Sequence, residues 1–136
     1  MALFGSYHDK KHIADFIVSS IIMLTSVDAC VLRKYNEKAG TLTLLACSGV
    51  SDSWLGKATT KYKNSLAEKA FIQRTPLKII DINSDSKYQS KHLARKDNLS
   101  SLLLIPLQFK SKLVGSLSLY TTPQKKLEIF ENEFIE

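Results

Sequence analysis

Apolar positions along this chain fall into segments with two different periods. Between His8 and Thr25, Ile13, Phe16, Ile17, Ile21 and Leu24 recur three and four residues apart, the stripe of an amphipathic helix. A second strip, Ala14, Val18, Ile22 and Met23, is displaced around the same helix. The first strip is assigned to the chain's own sheet. The second then needs cover from a helical partner, because leaving it in water forgoes roughly 25 cal/mol for each square ångström of apolar surface.

Ala29 to Tyr35 and Thr41 to Cys47 are β-rich runs joined by the polar loop Asn36 to Gly40, and so predict a hairpin. Ser48 to Asn64 holds no sustained period and is expected to be a long loop with a helical turn at Trp54. Ser65-x-x-Glu68 has the spacing of a capping box and opens a short second helix ending before Pro76. A brief strand, Leu77 to Asp81, follows. The polar turn Asn83 to Ser86 then caps a weakly apolar third helix from Lys87 to about Asp97, expected to be a surface lid. Leu102 to Phe109 and Leu113 to Thr121 flank Lys110-Ser111-Lys112 as a second hairpin, with Leu113, Gly115, Leu117 and Leu119 on one face. Beyond Pro123, Leu127, Ile129, Phe130 and Phe134 are helix-spaced up to Glu136, which predicts a fourth helix and a longer parent protein.

Composition narrows the class. At 136 residues, 44% hydrophobic and 24% charged, the chain suits one globular domain with a packed core. No apolar run approaches the ~20 residues that span a bilayer, and the N-terminus lacks a basic and apolar leader, so a cytoplasmic domain without membrane contact is expected. Cys30 and Cys47 lie inside apolar segments without paired spacing, which fits buried thiols in a reducing compartment. The net charge of +6 favours an anionic ligand, but the lysines are dispersed from Lys10 to Lys126 with no nucleic-acid-binding pattern, so no nucleic acid is expected. No GxSxG, HExxH, P-loop or GxGxxG occurs, and a non-catalytic domain without a cofactor follows. His8 and His12 share a helix face, but a metal usually needs a third ligand, so no metal site is assigned.

The string Ser100-Ser101-Leu102-Leu103-Leu104-Ile105-Pro106-Leu107, followed by Leu113-Val114-Gly115-Ser116-Leu117-Ser118-Leu119-Tyr120, resembles the core of the GAF domain family, small-molecule sensing modules of signalling proteins. Asp28-Ala29-Cys30, Ala46-Cys47-Ser48-Gly49 and Ile79-Ile80-Asp81 support the resemblance, which covers nearly the whole chain. It implies an α+β fold: a central antiparallel sheet of five or six strands, helices one and four on one face, helices two and three and a long loop over the other. It also implies a small molecule bound between sheet and lid, a linked output domain such as a histidine kinase or cyclic-dinucleotide enzyme, and a homodimer through helix one and the C-terminal helix. A ligand-free dimerisation spacer is the alternative.

Carried onto this sequence, the resemblance places a ligand among Tyr35, Leu45, Cys47, Asp81, Tyr88, His92, Arg95 and Ser101. Lys87, Lys91 and Arg95, four residues apart on the expected lid helix, are candidate anion contacts, with a cyclic nucleotide first among ligands. The family's cyclic-nucleotide signature is absent, since Asn83 and Lys87 are not adjacent and no Phe with Asp-Glu follows. Bilin-binding members attach their chromophore through a lid cysteine, and none lies between Ser48 and Ser101. Haem would need an axial ligand, and only His92, in a polar stretch, is a candidate.

Overall fold

Two hairpins supply the middle of one sheet. The computed structural model describes residues 7–57 and 59–123. Within them, α1 (Tyr7–Thr25) leads into β1 (Ala29–Asn36) and β2 (Thr41–Ser48); a 3-10 turn, Asp52–Lys57, precedes β3 (Thr59–Lys61). Then come α2 (Leu66–Gln73), β4 (Leu77–Ile79), a second 3-10 turn at Ile82–Ser84, α3 (Lys91–Lys96), β5 (Ser101–Phe109) and β6 (Lys112–Thr121). The six strands form one antiparallel sheet in the order β3-β2-β1-β6-β5-β4, so its centre is the long-range pair β1 and β6. This is the α+β arrangement implied by the sequence. The expected fourth helix, with Leu127, Ile129, Phe130 and Phe134, lies outside the described residues. No described helix is long and apolar enough to cross a membrane.

Alternation along the strands divides the core in two. Cys30, Leu32, Ala46, Leu103 and Leu119 point to the side covered by α1; Ala29, Val31, Leu42, Leu102, Leu104 and Tyr120 point to the side covered by α2, α3 and the loop between β2 and α2. On α1 the strips are largely reversed from the expectation, with Ile21 alone of the first strip packed against the sheet-side cluster. Ala14 (5% exposed) and Val18 (1%) lie against the sheet, while Phe16 (72%) and Leu24 (82%), with Ile13 and Ile17, face outward. A helix packs closest where its side chains are small, so the slender strip takes the contact and the bulky one is left outside. Ala14 and Val18 therefore cannot form a dimer surface; of that strip only Met23 is exposed, and Ile22 packs against the sheet-side cluster.

Three further local features differ from or refine the pattern. The stretch expected to be loop contains β3, whose three residues pair with Thr41–Thr43 and are too short to show a period. The third helix starts at Lys91, because Lys87 sits in a turn in which its N–H and that of Tyr88 bond to Asp85. Lys87, Lys91 and Arg95 thus do not share a helix face. Pro106 is tolerated because β4 ends opposite Leu104, leaving that part of β5 at an edge.

At the β5–β6 turn both Lys110 and Ser111 have positive φ, the geometry of a two-residue hairpin turn normally given to Asn-Gly. Gly115 has a steric role: a Cβ there would lie 2.3 Å from the carbonyl oxygen of Arg33. Its absence lets β6 approach β1 beside that residue.

Candidate ligand site

The lid-facing parity of the central strands changes character halfway along the sheet. On β1 it runs Ala29, Val31, Arg33; on β6 it runs Tyr120, Ser118, Ser116, and the two sets face each other pair by pair. Arg33, Ser116, Ser118 and Tyr120 are all buried. They form the floor of a cavity of about 50 Å³ beneath the lid. Leu42, Leu102 and Leu104 extend the floor, Ser65, Leu66 and Ala67 bring in the first turn of α2, and Lys87, Tyr88, Gln89 and Ser90 close it from the lid. Ser65 and Lys87 also line an outer groove of about 190 Å³ with Glu68 and Ile72, so the rim continues to the surface there.

The lid is held by directional bonds. Tyr88 donates its phenol proton to the Tyr120 hydroxyl at 2.8 Å. Burial, reinforced by the neighbouring Tyr120, pushes the Tyr88 phenol well above its ordinary pKa, so it stays a neutral donor. Tyr120 is likewise raised by burial, which outweighs the charge of Arg33 and the hydrogen bonds of Tyr88, Ser118 and Arg33. Gln89 clasps the backbone of Lys61, donating Nε2–H to its carbonyl (2.7 Å) and accepting its N–H (3.1 Å), as a neighbouring strand would. Deeper in, Asp97 accepts both the Ser51 N–H and the Trp54 indole N–H at 2.8 Å. Burial would raise the Asp97 carboxyl, but these bonds and Lys96 bring it below the usual carboxylate value.

The polar inventory of the cavity is unbalanced. Arg33 is 6% exposed, and its Nε and Nη2 have no hydrogen-bond partner. The guanidinium does bond the Tyr120 phenol, but a buried charge whose other donors stay open costs several kcal/mol even after relaxation. The residues lining the cavity include two cations, Arg33 and Lys87, and no carboxylate. The first turn of α2 adds the positive end of a helix dipole. The chemistry available is therefore binding of negative charge. Elsewhere among the described residues, no three His, Cys, Asp or Glu side chains are placed to share a metal ion.

Of the residues proposed from the sequence, Tyr88 and Lys87 line this cavity. Tyr35 stacks at its margin on Tyr62, with ring centroids 4.7 Å apart, and Cys47 packs against the same cluster. Leu45 is the extra residue of the β2 bulge and is exposed. Asp81 caps the second 3-10 turn through the Asn83 N–H, and His92 and Arg95 are exposed on α3, with Lys91 beside them. Ser101 shares the parity of Leu103, on the α1 side, and bonds Thr121. Arg33, Ser116 and Ser118 line the cavity in addition, and the alternation itself marks them: they are the polar parity opposite Leu32, Leu117 and Leu119.

No family model matches the sequence, and no curated protein does either. Solved structures do. A GAF domain from a Coxiella burnetii phosphoenolpyruvate-protein phosphotransferase is similar at a TM-score of 0.69 and 21% identity, with 82% of this chain covering 66% of that one. The NreA protein of Staphylococcus aureus, mutated in its nitrate binding site, aligns at a TM-score of 0.73 and 15% identity over 96% of this chain and 99% of that one. A type II free methionine-R-sulfoxide reductase from Thermoplasma acidophilum aligns at 0.65 and 13% identity over 85% and 76%. Topology, layering and these likenesses agree: the chain has the GAF-domain fold.

Proposed function

We propose that this domain is a regulatory sensor, in which a small anionic molecule enters the cavity between sheet and lid and sets the position of the lid. The observation that carries this reading is Arg33, a buried guanidinium with two unpartnered nitrogens facing a cavity. A domain serving only as a spacer has no reason to keep a charge that a methionine could replace. The likeness to NreA, a protein with a nitrate binding site, is in keeping with an anion on this fold. A cyclic nucleotide is several times larger than the cavity, which has room for roughly four waters at the usual 10–15 Å³ each.

Thiol chemistry of the reductase kind is not favoured. A reactive cysteine needs a depressed pKa and access, whereas burial pushes Cys30 up to about 12 and raises Cys47, and neither lines the cavity. One observation favours the ligand-free spacer instead: Tyr88 inserts beneath the lid and ties itself to Tyr120, filling much of the space.

In the sensor reading the domain is a module of a longer cytoplasmic signalling chain, its output a histidine kinase or cyclic-dinucleotide enzyme. It pairs with a second copy through the outward strip Ile13, Phe16, Ile17 and Leu24 of α1. Sedimentation over a concentration series checks the pairing: Phe16→Asp should lower the association, and a wild-type monomer at hundreds of micromolar would remove it. Amide chemical shifts recorded against a panel of small anions and neutral metabolites test the sensor reading. Shifts concentrated in residues 82–97 and around Arg33 are expected. A panel that leaves the lid unmoved would support the spacer.

A further inference from the structure

The orphaned donors on Arg33 say more than that the ligand is negative. Nε and Nη2 lie on one edge of the guanidinium plane, pointing the same way, and both are without a partner. That edge matches two coplanar oxygens bonded to one atom and holds them through two parallel N–H···O bonds. The same cavity places the Ser116 and Ser118 hydroxyls on the strand facing Arg33, and the first turn of α2 on its wall. Hydroxyls donate to further oxygens, and a helix start favours negative charge. Lys87, exposed at the rim between the cavity and the outer groove that holds Glu68, adds a second cation, and no carboxylate lines the cavity itself. The volume of about 50 Å³ limits an occupant under the closed lid to a handful of heavy atoms.

Resting on the reading of this cavity as a ligand site, we propose that its ligand is a compact oxyanion presenting two coplanar oxygens, nitrate or the carboxylate of a one- to three-carbon acid, gripped side-on by Arg33. Charge alone does not select it: a halide would satisfy the charge but can accept both parallel bonds only by sharing one centre. A cyclic nucleotide would satisfy Arg33 with its phosphate but exceeds the cavity and would have to extend into the outer groove. Because the grip depends on the edge of the guanidinium, lysine at this position keeps the charge and loses the recognition.

The test uses the full 136-residue chain. Calorimetry and thermal unfolding are followed with sodium nitrate, formate, acetate, chloride, iodide and cyclic AMP at constant ionic strength. One-to-one binding of nitrate or of a short carboxylate is expected, with Tm raised by about 5–10 °C at a hundredfold excess over Kd. Arg33→Lys should weaken that binding by about tenfold or more, and Arg33→Met should abolish it. Should either variant fail to fold, the rank order of probes on the wild-type chain decides: a halide binding as well as nitrate or acetate overturns the side-on grip. Binding of cyclic AMP or another larger ligand, with none of the small oxyanions, overturns the proposed class and leaves the sensor reading standing. Binding of no probe, together with a lid unmoved across the wider metabolite panel, overturns both.

Discussion

The two faces of the sheet are built from alternate residues of the same strands, yet they meet opposite demands. Toward α1, β1 and β6 present Cys30, Leu32, Leu117 and Leu119, apolar groups whose burial needs only close packing. Toward the lid, the same strands present Arg33, Ser116, Ser118 and Tyr120, each with hydrogen-bonding capacity that must be met. The first face is satisfied within the chain and the second is not, since two guanidinium nitrogens remain open. Stability is thus invested on one side and held back on the other, as binding sites tend to require.

Truncations should therefore differ in sign between the faces. The largest effect is expected for Leu119→Ala on the α1 side, where a residue 2% exposed leaves a cavity; unfolding in urea should show a loss of about 2–5 kcal/mol. Arg33→Met on the lid side should be neutral or stabilising by about 1–4 kcal/mol in the same measurement without ligand, because it removes a buried charge with two open donors at the cost of one bond to Tyr120. A loss comparable to that of Leu119→Ala would mean the bond to Tyr120 outweighs the open donors, and the contrast between the faces would vanish.

Asp97→Asn sharpens the lid side, since it weakens the acceptor for two buried donors, and about 1–3 kcal/mol should be lost at neutral pH. The folded carboxyl titrates below its ordinary value. Its contribution is present above the unfolded pKa and disappears as pH falls through the lower, folded one. Unfolding curves of wild type and variant should begin to draw together as pH falls below about 4 and coincide only below the depressed, folded pKa. A difference that persists in acid would assign the effect to shape rather than charge. The smallest change concerns neither face: replacing Lys110-Ser111 by Asn-Gly relieves two positive φ angles and should raise stability by about 0.5–1 kcal/mol.

How far the sequence reveals this arrangement depends on whether one period decides. Both hairpins, the Ser65 cap and the alternation of β6 stand out because each is local: Ser65 accepts the Glu68 N–H, as its spacing implies. The orientation of α1 does not, since two apolar strips compete and only the packed sheet selects the slender one. β3 escapes because three residues carry no period, and its pairing with β2 supplies the order. The lid is hard to read for a related reason. His92 and Arg95 are exposed because the short α3 turns its polar residues to water and its Leu93 and Ala94 inward, and Asp81 is exposed as the cap of the second 3-10 turn. Arg33 carries no local signal of burial, and only the pairing of β1 with β6 places it opposite Ser116 beneath the lid.

The order of the strands also bears on when the site comes into being during synthesis. Each hairpin can close as soon as its own residues have emerged, since β1 meets β2 and β5 meets β6 across short turns. Arg33 and its neighbours Ser116 and Ser118 belong to different hairpins, joined only at the central seam between β1 and β6. Bringing that seam together closes a loop of most of the chain, a slow and entropically costly step that can begin only when β6 has left the ribosome. Until then the first hairpin exists with its arginine in water. The pocket is therefore a late product of folding, and an anion available at that moment could serve the newborn chain by neutralising Arg33 as the seam shuts.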